Sequence, residues 1–122
     1  MQVRAQARMV RMSPRKVQLV VATIRGLRAT EALSNLQFAP QAAAREVWKV
    51  VRSAMANAEN NYGLNPADLI VVTATSDQGP PFPMRFRAKA RGQAGPIKKK
   101  TTHITVIVDD EAGQTARPGA RR

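Results

Sequence analysis

The pattern of hydrophobic and polar residues along the chain predicts three strands, the first of them from a period of two. Residues 2–9 alternate between apolar and polar side chains, which is typical of a strand with one solvent-exposed face. That exposed face is basic because it carries Arg4 and Arg8. Residues 69–76 and 102–108 are rich in β-branched residues and have the length of sheet strands.

A helical period between the first two strands predicts three helices. The first has Ser13 as its N-cap and Pro14 as its first residue, and Gly26 supplies its stop. The second covers residues 30–39 and ends there because the residue before a proline is pushed out of helical space. The third and longest covers residues 41 to about 60, with apolar residues on one side at about 100° per residue.

A segment of 25 residues, 77–101, lies between the second and third predicted strands and has no helical period. A structureless loop of this length is uncommon inside a compact domain unless it is functional. Some of its cations recur at every second position, so an extended chain would project them from one side and apolar residues from the other. The cations are Arg85, Arg87, Lys89 and Arg91, and the apolar residues are Met84, Phe86, Ala88 and Ala90.

The same segment contains residues suited to a protruding hairpin. Gly92 and Gly95 fit a turn at its tip, because glycine accepts a positive φ and lets the backbone approach a partner closely. Pro80, Pro81 and Pro83 cannot donate to a strand ladder and keep the outgoing arm stiff. We therefore predict a hairpin arm with a basic edge. The alternative is a solvated, disordered basic loop.

The charge balance indicates a polyanionic partner. The chain has 20 Lys and Arg residues against 8 Asp and Glu residues, a formal charge of +12 over 122 residues. Self-repulsion of this size favours binding to a polyanion, and nucleic acid is the first candidate. Guanidinium groups suit phosphates and unpaired bases while ammonium groups act as point charges, a mixture suited to folded RNA. Residues 78–101 contain no acid and seven cations: Arg85, Arg87, Lys89, Arg91, Lys98, Lys99 and Lys100.

A second cluster of cations surrounds the start of the first predicted helix. Arg11, Arg15 and Lys16 lie where backbone N–H groups and the helix dipole also favour an anion. The cluster is a candidate for a second phosphate contact, and the alternative is that its residues are only solvated. Cations on the third predicted helix are interpreted as solvated unless RNA wraps the domain. These are Arg45, Lys49 and Arg52.

Other classes of protein have little support. One Trp and three Phe are few for the apolar face of a helix on a membrane surface. No apolar run approaches the roughly 20 residues of a membrane span. The chain has no cysteine for disulfides or thiolate metal sites, and His103 has no acidic residue at ligand spacing, so no metal or other cofactor is expected. Trp48 is assigned to the core. No catalytic constellation is found, and a nucleoid-type DNA-binding protein is the main alternative to an RNA-binding one.

Four sequence motifs of the chain are specific enough to compare with a known family. They are RMSPRKVQLV at 11–20 with IRG at 24–26, SAMANAENNYGL at 53–64, RFRAKARG at 85–92, and THITVIV at 102–108. In this order they resemble the family of ribosomal protein twenty-two of the large subunit, and the resemblance covers residues 3–109. The residues of these motifs favour a bacterial or plastid form, and the lack of a transit peptide favours the bacterial one. A cytoplasmic location in the ribosome is therefore expected.

The resemblance implies an α+β fold with three helices packed on a three-stranded antiparallel sheet and a long protruding β-hairpin. Residues 1–109 would form a single globular domain that includes the hairpin at about 78–101, and 110–122 are predicted to be a disordered polar tail. The implied function is structural: the protein binds large-subunit rRNA, assists subunit assembly and places the hairpin along the polypeptide exit tunnel. Expected partners are rRNA, neighbouring large-subunit proteins and the nascent polypeptide near the hairpin tip. The protein would be a monomer within the ribosome, without a membrane partner.

These expectations assign residues to two roles. The predicted rRNA-binding residues are Arg4, Arg8, Arg11, Ser13, Arg15, Lys16, Arg85, Arg87, Lys89, Arg91, Lys98, Lys99 and Lys100. The predicted hairpin tip at the tunnel consists of Arg91, Gly92, Gln93, Ala94 and Gly95.

Overall fold

The computed structural model describes residues 2–81 and 84–110, and these residues form the expected α+β fold. Within them lie three helices, three strands that form one antiparallel sheet, and two further strands that form a hairpin. In chain order the elements are β1 (Gln2–Val10), α1 (Pro14–Ile24), α2 (Ala29–Gln37), α3 (Ala43–Tyr62), β2 (Leu69–Gln78), β3 (Met84–Ala88), β4 (Ala94–Lys98) and β5 (Thr102–Asp110).

The helices begin and end within one or two residues of the predicted positions. Pro14 is the first residue of α1 and follows an extended Ser13, because proline has no N–H group to leave unpaired there. Gly63 closes α3 in the left-handed conformation, at φ 65°, and its N–H donates to the carbonyl of Glu59 at 3.1 Å. None of the helices in the described part of the chain is long and apolar enough to cross a membrane.

The last strand, β5, lies at the centre of the sheet, with β1 and β2 antiparallel on either side. Its side chains alternate between a buried set, which includes Ile104 and Val106, and a half-exposed set, which includes Ile107. Helix α1 packs against β2, and α3 packs against β1 and β5. The core therefore takes one face of each element, and Ile24 of α1 and Leu69 of β2 are among its fully buried side chains.

The predicted alternation in β1 is wrong at Met9. This residue should lie on the apolar side, but its side chain is 42% exposed. A bulge between Ala7 and Val10 places Met9 at φ 59°, and the extra residue of a bulge changes the side to which the chain points. The bulge also lets the Met9 N–H donate to Nδ1 of His103 at 3.2 Å.

The central strand β5 is longer than its β-branched residues predict. It extends to Asp110, which pairs with Leu69 of β2, and the preceding Asp109 is buried. The first residue of the predicted tail therefore belongs to the sheet, because pairing with β2 continues through both aspartates. The rest of the predicted tail, 111–122, lies outside the described residues.

Candidate nucleic-acid interface

The predicted basic arm is an antiparallel hairpin formed by β3 and β4. Arg85 and Arg87 lie opposite Ile97 and Gly95 in its register, so both guanidinium groups project from one side, as the alternation predicts. Lys89 continues this side, because a Cβ built on Gly95 would lie 2.5 Å from the Lys89 Cε atom. Arg85, Arg87 and Lys89 are exposed and form the cationic face of the hairpin.

The opposite side of the hairpin is apolar. Phe86 pairs with Pro96 and Ala88 pairs with Ala94, and all four residues are exposed. Residues directly opposite each other in an antiparallel pair share one side of the ribbon, so these four form a continuous apolar face. Arg85 and Arg87 thus lie on the opposite side of the ribbon from Phe86 and Ala88.

The hairpin turns earlier than the glycines predict. Ala94 and Gly95 were expected at the tip, but both are paired residues of β4. The turn lies at residues 89–93, where the Lys89 N–H donates to the Gln93 carbonyl at 2.6 Å. The register of the two strands decides this position. Ala88 and Ala94 form the last pair of the hairpin, so the chain must reverse direction between them.

The turn places two successive residues in the left-handed conformation. Arg91 has φ 62° and Gly92 has φ 72°, as both central residues of a type I′ turn require. The Gln93 N–H closes this turn by donating to the Ala90 carbonyl at 3.4 Å. Arg91 therefore leaves the alternation that Arg85 and its neighbours follow, contrary to the prediction, and its exposed side chain lies at the tip.

The hairpin joins the sheet through short hydrogen bonds between its two ends. The Gly79 N–H donates to the Thr101 carbonyl at 3.0 Å, and the Thr101 hydroxyl donates to the Pro80 carbonyl at 2.6 Å. The Thr102 hydroxyl donates to the Met12 carbonyl at 2.6 Å. Both threonines are buried and their side-chain bonds are partly buried, and these bonds fix the point from which the hairpin leaves the sheet.

Gly79→Ala is expected to destabilise the protein by about 1–3 kcal/mol through overpacking. A Cβ at this position would lie 2.5 Å from Oγ1 of Thr101 and 3.1 Å from Cε1 of His103. Thr101 cannot yield easily, because it is buried and bonded to Pro80. Urea unfolding measures the effect, and Gln78→Ala at the exposed preceding position should stay within about 0.5 kcal/mol of wild type. Equal unfolding midpoints for the two variants would contradict tight packing at the base of the hairpin.

The fold brings the second predicted cluster and the end of the hairpin into one groove. Arg11 and Lys16, around the start of α1, and Lys99 and Lys100, after β4, line a groove of about 750 Å³. We call it the basic groove. Its remaining lining residues are Met12, Ser13, Leu19, Gln41, Ala42 and Ala43.

Two helices begin at the edge of the basic groove. The N-cap positions of α1 and α3 are Ser13 and Ala42, and both residues line the groove. Helix N-termini present unpaired N–H groups and the positive end of the helix dipole, which adds to the field of the four cations. Ser13 holds the predicted N-cap position, but its side chain makes no capping hydrogen bond.

Three predicted rRNA-binding residues lie outside both the basic groove and the hairpin. Arg15 is exposed on α1, and Arg4 and Arg8 are exposed on the edge strand β1. None of the three lines the groove, and Nη2 of Arg4 donates to Oε1 of Gln6 at 3.1 Å. A role of these arginines in RNA binding would therefore be separate from the groove.

Cations on the exposed side of α3 contact residues of the same helix. Nζ of Lys49 lies 3.9 Å from Oε1 of Glu46, and the guanidinium carbon of Arg52 lies 5.3 Å from the centre of the Trp48 ring. Trp48 packs against the core, as predicted. These contacts support the interpretation of α3 as a solvated surface.

His103 lies at the base of the hairpin. Its Nδ1 accepts the Met9 N–H, and its ring lies beside Gly79. The half-exposed His103 therefore packs against the Met9 backbone and Gly79. In residues 2–81 and 84–110, no group of three or more His, Cys, Asp or Glu residues could hold a metal ion.

Two contributions to this surface were missed by sequence reasoning. The start of α3 lines the basic groove, and Leu19 of α1 lies in it with 66% of its side chain exposed. The exposure of Leu19 has a local signal, because it falls outside the buried stripe that contains Val17 and Val20. The position of the α3 start in the groove has no local sequence signal, because it depends on how the helices pack.

The fold and its charges define a class of protein: a small α+β domain with cations gathered on a projecting arm and an adjoining groove, as in nucleic-acid-binding proteins. Residues 5–109 match the family model described as ribosomal protein L22p/L17e. The chain belongs to this family, as its four recognisable stretches predict. Its members are structural proteins of the large ribosomal subunit rather than enzymes, and they act in the cytoplasm as part of the ribosome.

Proposed function

We propose that this member of the L22p/L17e family binds large-subunit rRNA through the cationic face of its hairpin and through the basic groove. The hairpin then lies along the polypeptide exit tunnel, with the turn at 89–93 near the nascent polypeptide. The protein acts as a monomer within the ribosome, contacts neighbouring large-subunit proteins and assists assembly of the subunit.

One observation carries this proposal: a surface of exposed cations without intervening acidic residues. The cationic face begins at Arg85, and Lys99 and Lys100 continue the charge at the groove. No Asp or Glu occurs between residues 78 and 108. RNA supplies one negative charge per nucleotide and would neutralise this surface along its whole length.

The mechanism is electrostatic and architectural. Folded rRNA brings phosphates close together, and bound cations of the protein replace the counterions that such packing requires. Arg85 and Arg87 can contact phosphates in a bidentate manner, whereas Lys89 acts as a point charge. The partly buried hydrogen bonds at Thr101 and Thr102 set the direction of the arm relative to the sheet.

The test is binding to a large-subunit rRNA fragment and to matched duplex DNA across a series of salt concentrations. Each phosphate contact contributes roughly 0.7–0.9 to the slope of log affinity against log salt. Loss of three contacts should therefore lower the slope by about 2. The variant combines Arg85→Ala, Arg87→Ala and Lys89→Ala.

The helix α3 offers a control with matched charge. The control variant also loses two arginines and one lysine. Its slope should stay at the wild-type value because none of the three lines the basic groove, and Lys49 and Arg52 contact residues of their own helix. It combines Arg45→Ala, Lys49→Ala and Arg52→Ala. Equal affinity for duplex DNA, together with an unchanged slope in the hairpin variant, would reject the proposal and favour non-specific binding of nucleic acid.

A further inference from the structure

We propose that the apolar face of the hairpin stacks an unpaired base of the rRNA, with Phe86 as the stacking side chain. This inference rests on the proposed function, because it takes the partner of the hairpin to be RNA. It adds an aromatic side chain that contacts an unpaired base, beside a cationic face whose proposed contacts are with phosphates.

Phe86 is an exposed aromatic ring on a part of the molecule that is rich in charge. Its side chain is 71% exposed, and it pairs with Pro96. The other members of the apolar face, Ala88 and Ala94, have side chains too short to cover the ring. A two-stranded ribbon has no core of its own, so the ring can be removed from water only by a partner.

The charges around Phe86 favour RNA over protein as that partner. Its sequence neighbours, Arg85 and Arg87, project from the other side of the ribbon, and no acid lies between residues 78 and 108. An apolar protein surface on Phe86 would lie against this cationic ribbon without counter-charge. A nucleotide combines a flat π surface with a phosphate, so one strand can stack a base on the ring while adjacent phosphates reach the arginines.

The ring requires a base that is not already stacked. A base inside a duplex has both faces covered by its neighbours, whereas unpaired bases in loops and bulges can turn outward onto aromatic side chains. Pro96 fixes the backbone opposite the ring through its restricted φ. The ring is therefore presented on a strand position with a rigid partner.

Phe86→Ala is expected to lower affinity for the rRNA fragment by about 5- to 100-fold, the effect of losing one aromatic–base stack. The salt slope should not change, because no charge is removed. Phe86→Trp should keep the affinity, and Phe86→Leu should be as weak as the alanine variant, since leucine restores apolar area but no ring. Phe38→Ala removes another exposed phenylalanine, 81% exposed at the end of α2, and should bind like wild type.

A fluorescence readout reports the stack directly. The chain has one tryptophan, so Trp48→Phe combined with Phe86→Trp leaves a single reporter on the apolar face. Its emission should be quenched when the rRNA fragment binds, and duplex RNA without unpaired bases should quench it much less. Equal quenching by both RNAs would overturn the requirement for an unpaired base.

The outcomes separate this inference from the proposed function. Wild-type affinity in Phe86→Leu would mean that an apolar side chain without a ring is sufficient for RNA binding, and the stacking inference would be wrong. Wild-type affinity in Phe86→Ala, with a reduced slope in the cationic-face variant, would reject the stack and leave the proposed function intact. Failure of the wild-type protein to prefer rRNA over DNA would overturn both.

Discussion

Alanine at all four cations of the basic groove should lower the slope of log rRNA affinity against log salt by about 3, at roughly 0.7 per phosphate contact. Over a fourfold rise in salt, the wild-type protein should lose about 50-fold more affinity than the variant. The expected effect is large because the four side chains line one groove beside two helix N-termini, so one RNA segment can contact all of them. Titration of a large-subunit rRNA fragment at several salt concentrations measures it. The variant combines Arg11→Ala, Lys16→Ala, Lys99→Ala and Lys100→Ala.

The shared groove also predicts energetic coupling between its two sides. Lys16→Ala and Lys99→Ala should be non-additive in binding free energy by about 0.5–3 kcal/mol, since both residues would hold the same RNA segment. Lys49→Ala with Lys99→Ala is the matched control and should be additive, because Lys49 lies on α3 beside Glu46. Additivity in the first pair, or an unchanged slope in the quadruple variant, would show that the groove is not a single RNA site.

Ile104→Ala should reduce the free energy of unfolding by about 2–5 kcal/mol. Ile104 is fully buried on the central strand β5, where it lies opposite Ala7 of β1 and Ser76 of β2. Truncation removes apolar burial and leaves a cavity that strands paired on both sides cannot easily close. Since small domains have only about 5–15 kcal/mol of stability, this one change would remove a large share. Urea unfolding, with the m-value checked for constancy, measures the loss.

The control for this prediction lies on the same strand. Ile107→Ala makes the same chemical change on the half-exposed side of β5, so it should cost well under half as much. Both variants should bind the rRNA fragment like wild type under conditions where they remain folded, because neither side chain lines the basic groove. Similar unfolding midpoints for the two variants would mean that the core does not lie on the Ile104 side of the sheet.

The helices and the sheet were predictable because their signals are local. Val17, Val20 and Ile24 recur at helical spacing, and all three are buried in α1. A hydrophobic period shows which side of an element is buried, whatever that side packs against. Pro14 and Gly63 mark helix ends because their backbone preferences act on the residue itself.

The hairpin was predictable in outline, but its turn was not. The alternation at Arg85 and Arg87 indicates an extended arm, and both Gly92 and Gly95 would tolerate a turn. Their roles depend on strand register, in which Gly95 lies opposite Arg87 and beside the Lys89 side chain. Gly95 therefore lies within strand β4. Arg91 takes the left-handed conformation that the sequence alone would assign to a glycine.

By itself, the sequence determined the strongly basic character, the α+β pattern, the family and the alternating arm. Only the tertiary structure decided that Arg11 and Lys16 share a groove with Lys99 and Lys100, that Pro96 completes the apolar face with Phe86, and that Met9 forms a bulge held by His103. The reason is physical: hydrophobic period and charge are properties of neighbours in sequence. A groove, a cross-strand pair and a bulge depend on segments that meet only when the helices pack on the sheet.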